Sequence, residues 1–343
     1  MHRAQARCIP RNRDNTSILS KNAYTLELLG GSDRKCIELM RMSRKAYVRL
    51  CTHFRHKLWL HDSKHVSVEE KMAMFLAIIG HNERYVVIKG MFQHSSQTIH
   101  KYFHDVLVAM MTFAREMIVP STFDPNPDSL GAHNHYDGFL SYFTIQYFII
   151  CDFNMIFTIV YAGWEGVAHD SMVLIEVMAK PSNNFSFPPP SKYYLCDSAY
   201  INARGFIAPY SNVRYLLGDF RRRCIMTKEE KFNNAHAKLR IVIELAYSVL
   251  KARFSILNKI APYPFNVQRN VVIVCFAFNN FIRKIKINDE LFAQYEESQM
   301  VTEQIWQEEE IGFATKGSHW GTADIQFMSN IREEIAVQLI GNI

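Results

Sequence analysis

A chain of 343 residues, 48% hydrophobic and 21% charged, with only 14 Gly and 11 Pro, is neither disordered nor fibrous in composition, and at about 150 residues per domain it exceeds a single small module. No apolar run exceeds that of Val271 to Phe278, which falls short of the roughly 18 residues that a membrane span needs, so it reads as buried core and no membrane partner is expected. The net charge of +6 hides a polarity: residues 1–120 hold 19 Lys and Arg against 10 Asp and Glu, residues 121–288 hold 18 against 12, and residues 289–343 hold 2 against 11.

The basic body suits a polyanion, because Lys and Arg that neutralise phosphates release counterions; the alternative is that the charge serves solubility alone. The start, MHRAQARCIPRNRDN, leads into no apolar stretch, which argues against a secretory leader and leaves organelle import open. Seven dispersed cysteines (Cys8, Cys36, Cys51, Cys151, Cys196, Cys224, Cys275) form no C-x-x-C pair and point to reduced thiols in the cytosol or nucleus.

Residues 1–32 lack apolar periodicity and read as a basic flexible arm. An all-α domain is expected over 33–120. Ile37, Met40, Tyr47, Leu50 and Phe54 recur at helical intervals, and Ser67 with Glu70 forms a capping-box pattern before KMAMFLAIIG. After Gln93-His94, Ser95 or Ser96 caps a helix with Ile99, Phe103, Val106 and Met110 on one face. Short helices in this order fit a helix-turn-helix. Its second helix would offer Ser96, Gln97, His100 and Lys101 to a DNA groove, against the alternative of a helical bundle with a solvated face.

Residues 121–138, rich in turn formers, read as a linker with a degenerate first strand. Phe143 to Cys151 and Met155 to Ala162 then read as a hairpin of buried strands. Asp170 or Ser171 caps a helix through Met178, and Lys192 to Cys196 is a further short strand. Helices are expected over Phe232 to Phe254, with Leu239, Ile243, Ala246, Leu250 and Phe254 on its apolar face, and over Asn266 to Lys284. The fold class is therefore α/β (α+β), a mixed sheet with flanking helices. The segment 289–343 reads as an acidic tail around Glu308-Glu309-Glu310, with a terminal helix over Ile331 to Leu339.

Asp197 follows the strand KYYLC, and the carboxyl ends of strands are where sites form in such sheets; its alternative role is to cap the turn into Ser198-Ala199-Tyr200. Glu244 lies off the apolar stripe of its helix beside Arg240, where the bland reading is a solvated i,i+4 ion pair. A strand-end Asp with a helical Glu suits two-metal phosphoryl chemistry with Mg²⁺ or Mn²⁺, which also calls for a third carboxylate. A transition-metal site at His133, His135, His169 or His236 lacks the fixed spacings such sites show.

AGWEGVAHDSMVL (162–174), KYYLCDSAY (192–200), GFIAPYSNVRY (205–215), FNNAHAKLRIVIELAYSVLKARF (232–254) and PYPF (262–265) resemble, in order and spacing, the plant-type Harbinger DDE transposases and the nuclease-like proteins derived from them. The resemblance runs upstream through VSVEEKMAMFLAIIGHNERYVVIKGMFQHSSQTIHKYF (66–103) and reaches REEIA (332–336) in the tail.

What it implies is an RNase H-like core over 139–288 whose Asp, Asp and Glu bind two divalent ions, Mg²⁺ or Mn²⁺, and cut DNA. It also implies a helical domain that helps hold the DNA, a nuclear location and, in some members, a separate DNA-binding protein as partner. By motif, Asp197 matches the second Asp and Glu244 the catalytic Glu. The first Asp belongs to a Gly-Ala-Ile-Asp-Gly-Thr-His segment from which this chain departs: aligned on Gly131-Ala132 it is Asn134, and aligned on Asp-Gly it is Asp137, with the following loop and first strand mostly deleted. Asp137 serves only if the sheet re-registers to bring it beside Asp197.

Two readings follow: a metal-dependent nuclease impaired at its first acid, or a non-catalytic DNA- or protein-binding relic of a transposase. Arg221, Arg222 and Arg223, with Lys228 and Lys231, are a second candidate contact for DNA.

Overall fold

The computed structural model describes residues 23–120, 135–137, 145–165, 170–180, 185–189, 192–214, 227–285, 291–293 and 320–341, with the backbone alone at 135–137, 145–147, 164–165 and 170–171. The chain divides into two compact units, Met1–Val106 and Leu107–Ile343. The division was expected after residue 120. It falls earlier, inside a continuous helix, because the apolar positions of that helix run on through Met110, Phe113 and Ala114.

The first unit is built from α1 (Ala23–Gly30), α2 (Asp33–Met40), α3 (Arg44–His56), α4 (Val68–His81), α5 (Tyr85–Phe92) and the start of α6 (Ser96–Met117). Serine hydroxyls start four of them, accepting from Lys35 N at 3.4 Å (Ser32), Ala46 N at 3.3 Å (Ser43), Glu70 N at 3.2 Å (Ser67) and Thr98 N at 3.1 Å (Ser95). Leu50, Phe54, Phe75, Ile88, Phe92 and Ile99 are completely buried at its centre. α5 and α6 are joined by three residues, Gln93 to Ser95, with Gln93 in the left-handed region at φ 55°.

Two expectations for this unit are corrected. The loose arm does not extend to residue 32, because Ala23–Gly30 is helical, buries Thr25 and Leu28 and sets Tyr24 edge-on to Phe92; two turns are too short to show a period. The capping box at Ser67 is not closed either. The Glu70 carboxylate turns inward, fully buried, and Oε1 lies 2.8 Å from His94 Nε2, since α4 is buried on almost every side.

Among the described residues the second unit has a five-stranded sheet in the order β3-β2-β1-β4-β5, with β1 at His135–Asp137, β2 at Ile145–Cys151, β3 at Phe157–Glu165, β4 at Tyr194–Leu195 and β5 at Phe206–Ile207. β2 pairs antiparallel with both β1 and β3, while β1, β4 and β5 are parallel. The hairpin β2–β3 matches the sequence expectation closely, and its turn is held by Asp152, whose Oδ1 accepts from Asn154 N at 2.9 Å and Ile156 N at 2.8 Å. The first strand is short, as its degenerate segment suggested. Three residues of β1 take the central place in the sheet, Tyr136 opposite Cys151 on one side and Leu195 on the other.

One layer of core is formed by Phe148, Ile150, Val173, Leu174, Val177, Tyr194, Cys196 and Phe206, the three middle residues coming from α7 (Asp170–Ala179). α8 (Lys228–Arg253) packs against β1 and β2, and α9 (Phe265–Lys284) packs against β3, setting Phe276 edge-on to Phe157 with ring centroids 4.6 Å apart. α10 (Thr322–Gly341) lies against α8 and β5. It is about twice the length expected from the sequence, because its anchors are remote: Arg332 donates to Ala208 O at 3.1 Å and Pro209 O at 3.0 Å, and Arg204 pairs with Asp324 at 2.8 Å.

Asn280 ties three segments of this unit together. Its Oδ1 accepts from Phe157 N at 2.8 Å, and its Nδ2 donates to Phe157 O at 2.7 Å and to Met117 O at 3.1 Å. Asn280→Leu would leave a buried backbone N–H and carbonyls unpaired, so the urea midpoint should report a loss of about 2–4 kcal/mol. Cys36, Cys51, Cys151, Cys196 and Cys275 are buried free thiols, and among the described residues no helix is long and apolar enough to cross a membrane.

Candidate active site

The chain leaves β4 with Cys196 N donating to Ile207 O at 3.0 Å, then turns at Asp197, whose carbonyl accepts from Tyr200 N at 3.1 Å. Asp197 Oδ1 accepts from Ser198 N at 2.6 Å and Ser198 Oγ at 3.3 Å. The residue therefore does cap its turn, but this uses one oxygen only, and Asp197 is 6% exposed.

α8 begins with a closed capping box, Glu230 N to Thr227 Oγ1 at 3.2 Å and Thr227 N to the Glu230 carboxylate at 3.2 Å. Its buried face runs through Phe232, His236, Arg240, Ile243, Tyr247 and Leu250. The expected apolar face is thus corrected at Leu239, which is 42% exposed, and Arg240 is in the buried row. The expected solvated Arg240–Glu244 pair is corrected with it. Arg240 Nη2 lies 2.6 Å from Glu244 Oε1 and Nη1 lies 4.0 Å from Asp197 Oδ2, the guanidinium side chain being only 6% exposed. One cation faces both carboxylates that the sequence singled out.

One turn earlier, His236 Nε2 lies 3.2 Å from Ile207 O. A carbonyl can only accept, so this nitrogen carries the proton in the neutral ring. Burial pushes the imidazole down to about 4, with Arg240 adding to the depression while the Ile207 carbonyl and Asp197 oppose it. The unfolded chain, with histidine near 6.5, binds the proton first as pH falls. Stability present above pH 6.5 is therefore lost progressively toward pH 4, by on the order of 3 kcal/mol. Urea unfolding at pH 7 and pH 4.5 should show this loss, and His236→Gln should flatten that part of the profile.

Register completes the geometry. Tyr136 pairs with Leu195 in the parallel β1–β4 ladder, so the next backbone position, Asp137, runs alongside Cys196, one residue before Asp197. α8 packs against this same strand.

Other expected site residues lie elsewhere. Ser96, Gln97, His100 and Lys101 are exposed at the start of α6, and Arg221, Arg222, Arg223, Asn134, His133 and His169 fall outside the described residues, as does the side chain of His135. Among the described residues no group of three or more His, Cys, Asp or Glu is gathered. Arg240 and His236 were undervalued as site residues, although with Glu244 they form an i, i+4, i+8 row that one helix face brings together.

Residues 122–280 match the family of DDE superfamily endonucleases, a span that takes in β1, Asp197, Arg240 and Glu244. The second unit is thus similar, over this span, to DDE superfamily endonucleases, which supports a transposase-derived protein with DNA as its suggested substrate. Residues 16–112 match a domain of unknown function (DUF8040). No curated protein and no solved structure matches the chain.

Proposed function

We propose that the chain is a Harbinger-type, transposase-derived nuclease that hydrolyses DNA phosphodiester bonds with Mg²⁺ or Mn²⁺, its ligands being Asp137, Asp197 and Glu244. The observation that carries this reading is the parallel β1–β4 pairing, which supports Asp137 as the first acid where the sequence suggested its loss. The strand order, with β2 antiparallel to a central β1, agrees with an RNase H-like core.

The donor set fits the ion. Carboxylate oxygens are the hard ligands that Mg²⁺ and Mn²⁺ take. Asp197 Oδ1 is held by Ser198, which orients Oδ2 toward Arg240, and Arg240 holds Glu244 through Oε1. His236, neutral at pH 7 and bonded to Ile207, adds no further charge to the cluster. Bound divalent ions supply polarisation of the phosphate and activation of water. In this reading α5 and α6 form a helix-turn-helix that offers Ser96, Gln97, His100 and Lys101 to DNA, and the protein acts in the nucleus, with a separate DNA-binding protein as an auxiliary partner.

A second reading, a non-catalytic DNA- or protein-binding relic, is favoured by one observation, the guanidinium already paired with Glu244 and facing Asp197. Conversion of supercoiled plasmid to nicked circle in Mn²⁺ separates the two. The nuclease reading expects nicking that EDTA, Asp197→Ala and Glu244→Ala each remove. DNA retention without nicking leaves the relic.

A further inference from the structure

Glu244 and Asp197 converge on a side chain that is itself a buried cation. Arg240 reaches Glu244 at 2.6 Å and Asp197 at 4.0 Å from different nitrogens of one planar group. A guanidinium stays charged under all ordinary conditions and presents its donors in a fixed fork. Without it, two carboxylates 9% and 32% exposed would face each other at the edge of a protein interior, a costly arrangement.

The backbone fixes this placement from both ends. Arg240 and Glu244 are one turn apart on α8, while Asp197 is held at its turn by Ser198. Arg240 Nη2 takes Glu244 Oε1, and Nη1 approaches Asp197 Oδ2 without reaching hydrogen-bond distance. The contact to Glu244 is therefore a tight pair, and that to Asp197 is through-space attraction.

We infer that Arg240 is a built-in counter-ion of the metal site, which holds Asp197 and Glu244 together before metal binds and lowers their affinity for a divalent cation. The inference rests on the proposed metal site. Like charges repel across the few ångströms that separate ligands from the ion they share. Binding a divalent cation then requires Arg240 to release Glu244 Oε1 or to remain and weaken the complex, and both lower affinity. The device makes the metal-free fold stable and keeps the site unfilled until the ion is abundant or a phosphate brings further negative charge.

The test is Mn²⁺ binding to the full chain by titration calorimetry, with Asp197→Asn as the control for site occupancy. Arg240→Gln should tighten Mn²⁺ by about tenfold, lower the melting temperature of the metal-free protein and enlarge the rise in melting temperature that Mn²⁺ produces. Arg240→Lys, which keeps the charge, should stay within about threefold of the unsubstituted chain. Mn²⁺ affinity that is unchanged or weaker in a folded Arg240→Gln protein overturns the inference and leaves the nuclease reading standing. Failure of both the unsubstituted chain and Arg240→Gln to bind Mn²⁺ removes both. Should Arg240→Gln not fold, the Arg240 Nε–H resonance of the unsubstituted protein gives the answer: it should shift with Mg²⁺ along the binding isotherm, and a resonance that ignores saturating Mg²⁺ overturns the counter-ion role.

Discussion

Asp137→Ala is expected to reduce Mn²⁺-dependent nicking by about a thousandfold or more, as fully as Asp197→Ala, because residues that hold one metal centre act as a unit and the loss of any one removes most of the catalysis. Asn134→Ala should leave the rate within about twofold. The two substitutions discriminate between the two alignments of the degenerate segment. Aligned on Gly131-Ala132, the acid is gone and Asp137 is incidental; aligned on Asp-Gly, it is Asp137. The ladder favours the second, since Tyr136 pairs with Leu195 and the next backbone positions of both strands, Asp137 and Cys196, continue side by side toward Asp197. Equal nicking by Asp137→Ala and the unsubstituted chain would show that the first ligand is not on β1. A melting temperature of the variant equal to that of the unsubstituted chain excludes unfolding of the second unit as the cause of a loss.

Legibility differed between elements for reasons of length and range. The hairpin over β2 and β3 could be read because seven- and nine-residue runs rich in Phe, Ile, Tyr and Val flank a turn whose aspartate satisfies its own backbone. α8 and α9 could be read because 26 and 20 residues give many repeats of the helical period. β1 could not: three residues, His-Tyr-Asp, carry no period, and their place in the sheet depends on β4, which lies beyond β3 and α7 in the chain. α10 was half seen, since its position depends on Arg204, Ala208 and Pro209 more than a hundred residues away.

At the site, Asp197 and Glu244 stood out through resemblance and position, but the burial of Arg240 did not. An i,i+4 Arg–Glu pair is normally a solvated surface feature of small energetic weight, and only the approach of the β4 turn to α8 encloses it. The same limit applied to Glu70, whose Ser-x-x-Glu spacing is that of a cap while its carboxylate serves a buried histidine.

Binding of the full chain to a DNA duplex is expected to weaken about a thousandfold between 50 and 200 mM salt, the behaviour of a protein that neutralises roughly six phosphates. The first unit has cations for this. Lys45, Arg49, Lys57, Lys64, Arg84 and Lys101 are all exposed, and Arg84 and Lys101 stand at the starts of the two helices joined by the Gln93–Ser95 turn. Reversing both, Arg84→Glu with Lys101→Glu, should lower affinity at 100 mM salt by at least about a hundredfold and reduce the salt slope by about two, one for each phosphate no longer neutralised. Substitution on the full chain is the cleaner test than removal of residues 1–120. That truncation would also delete Phe113, whose ring meets Phe281, and the Met117 carbonyl that Asn280 and Lys284 use, so weaker binding could reflect a damaged second unit. Unchanged affinity and slope in the double reversal would move the DNA-binding surface off the α5–α6 pair, and Arg221→Glu with Arg223→Glu would then be the variants expected to carry the salt dependence.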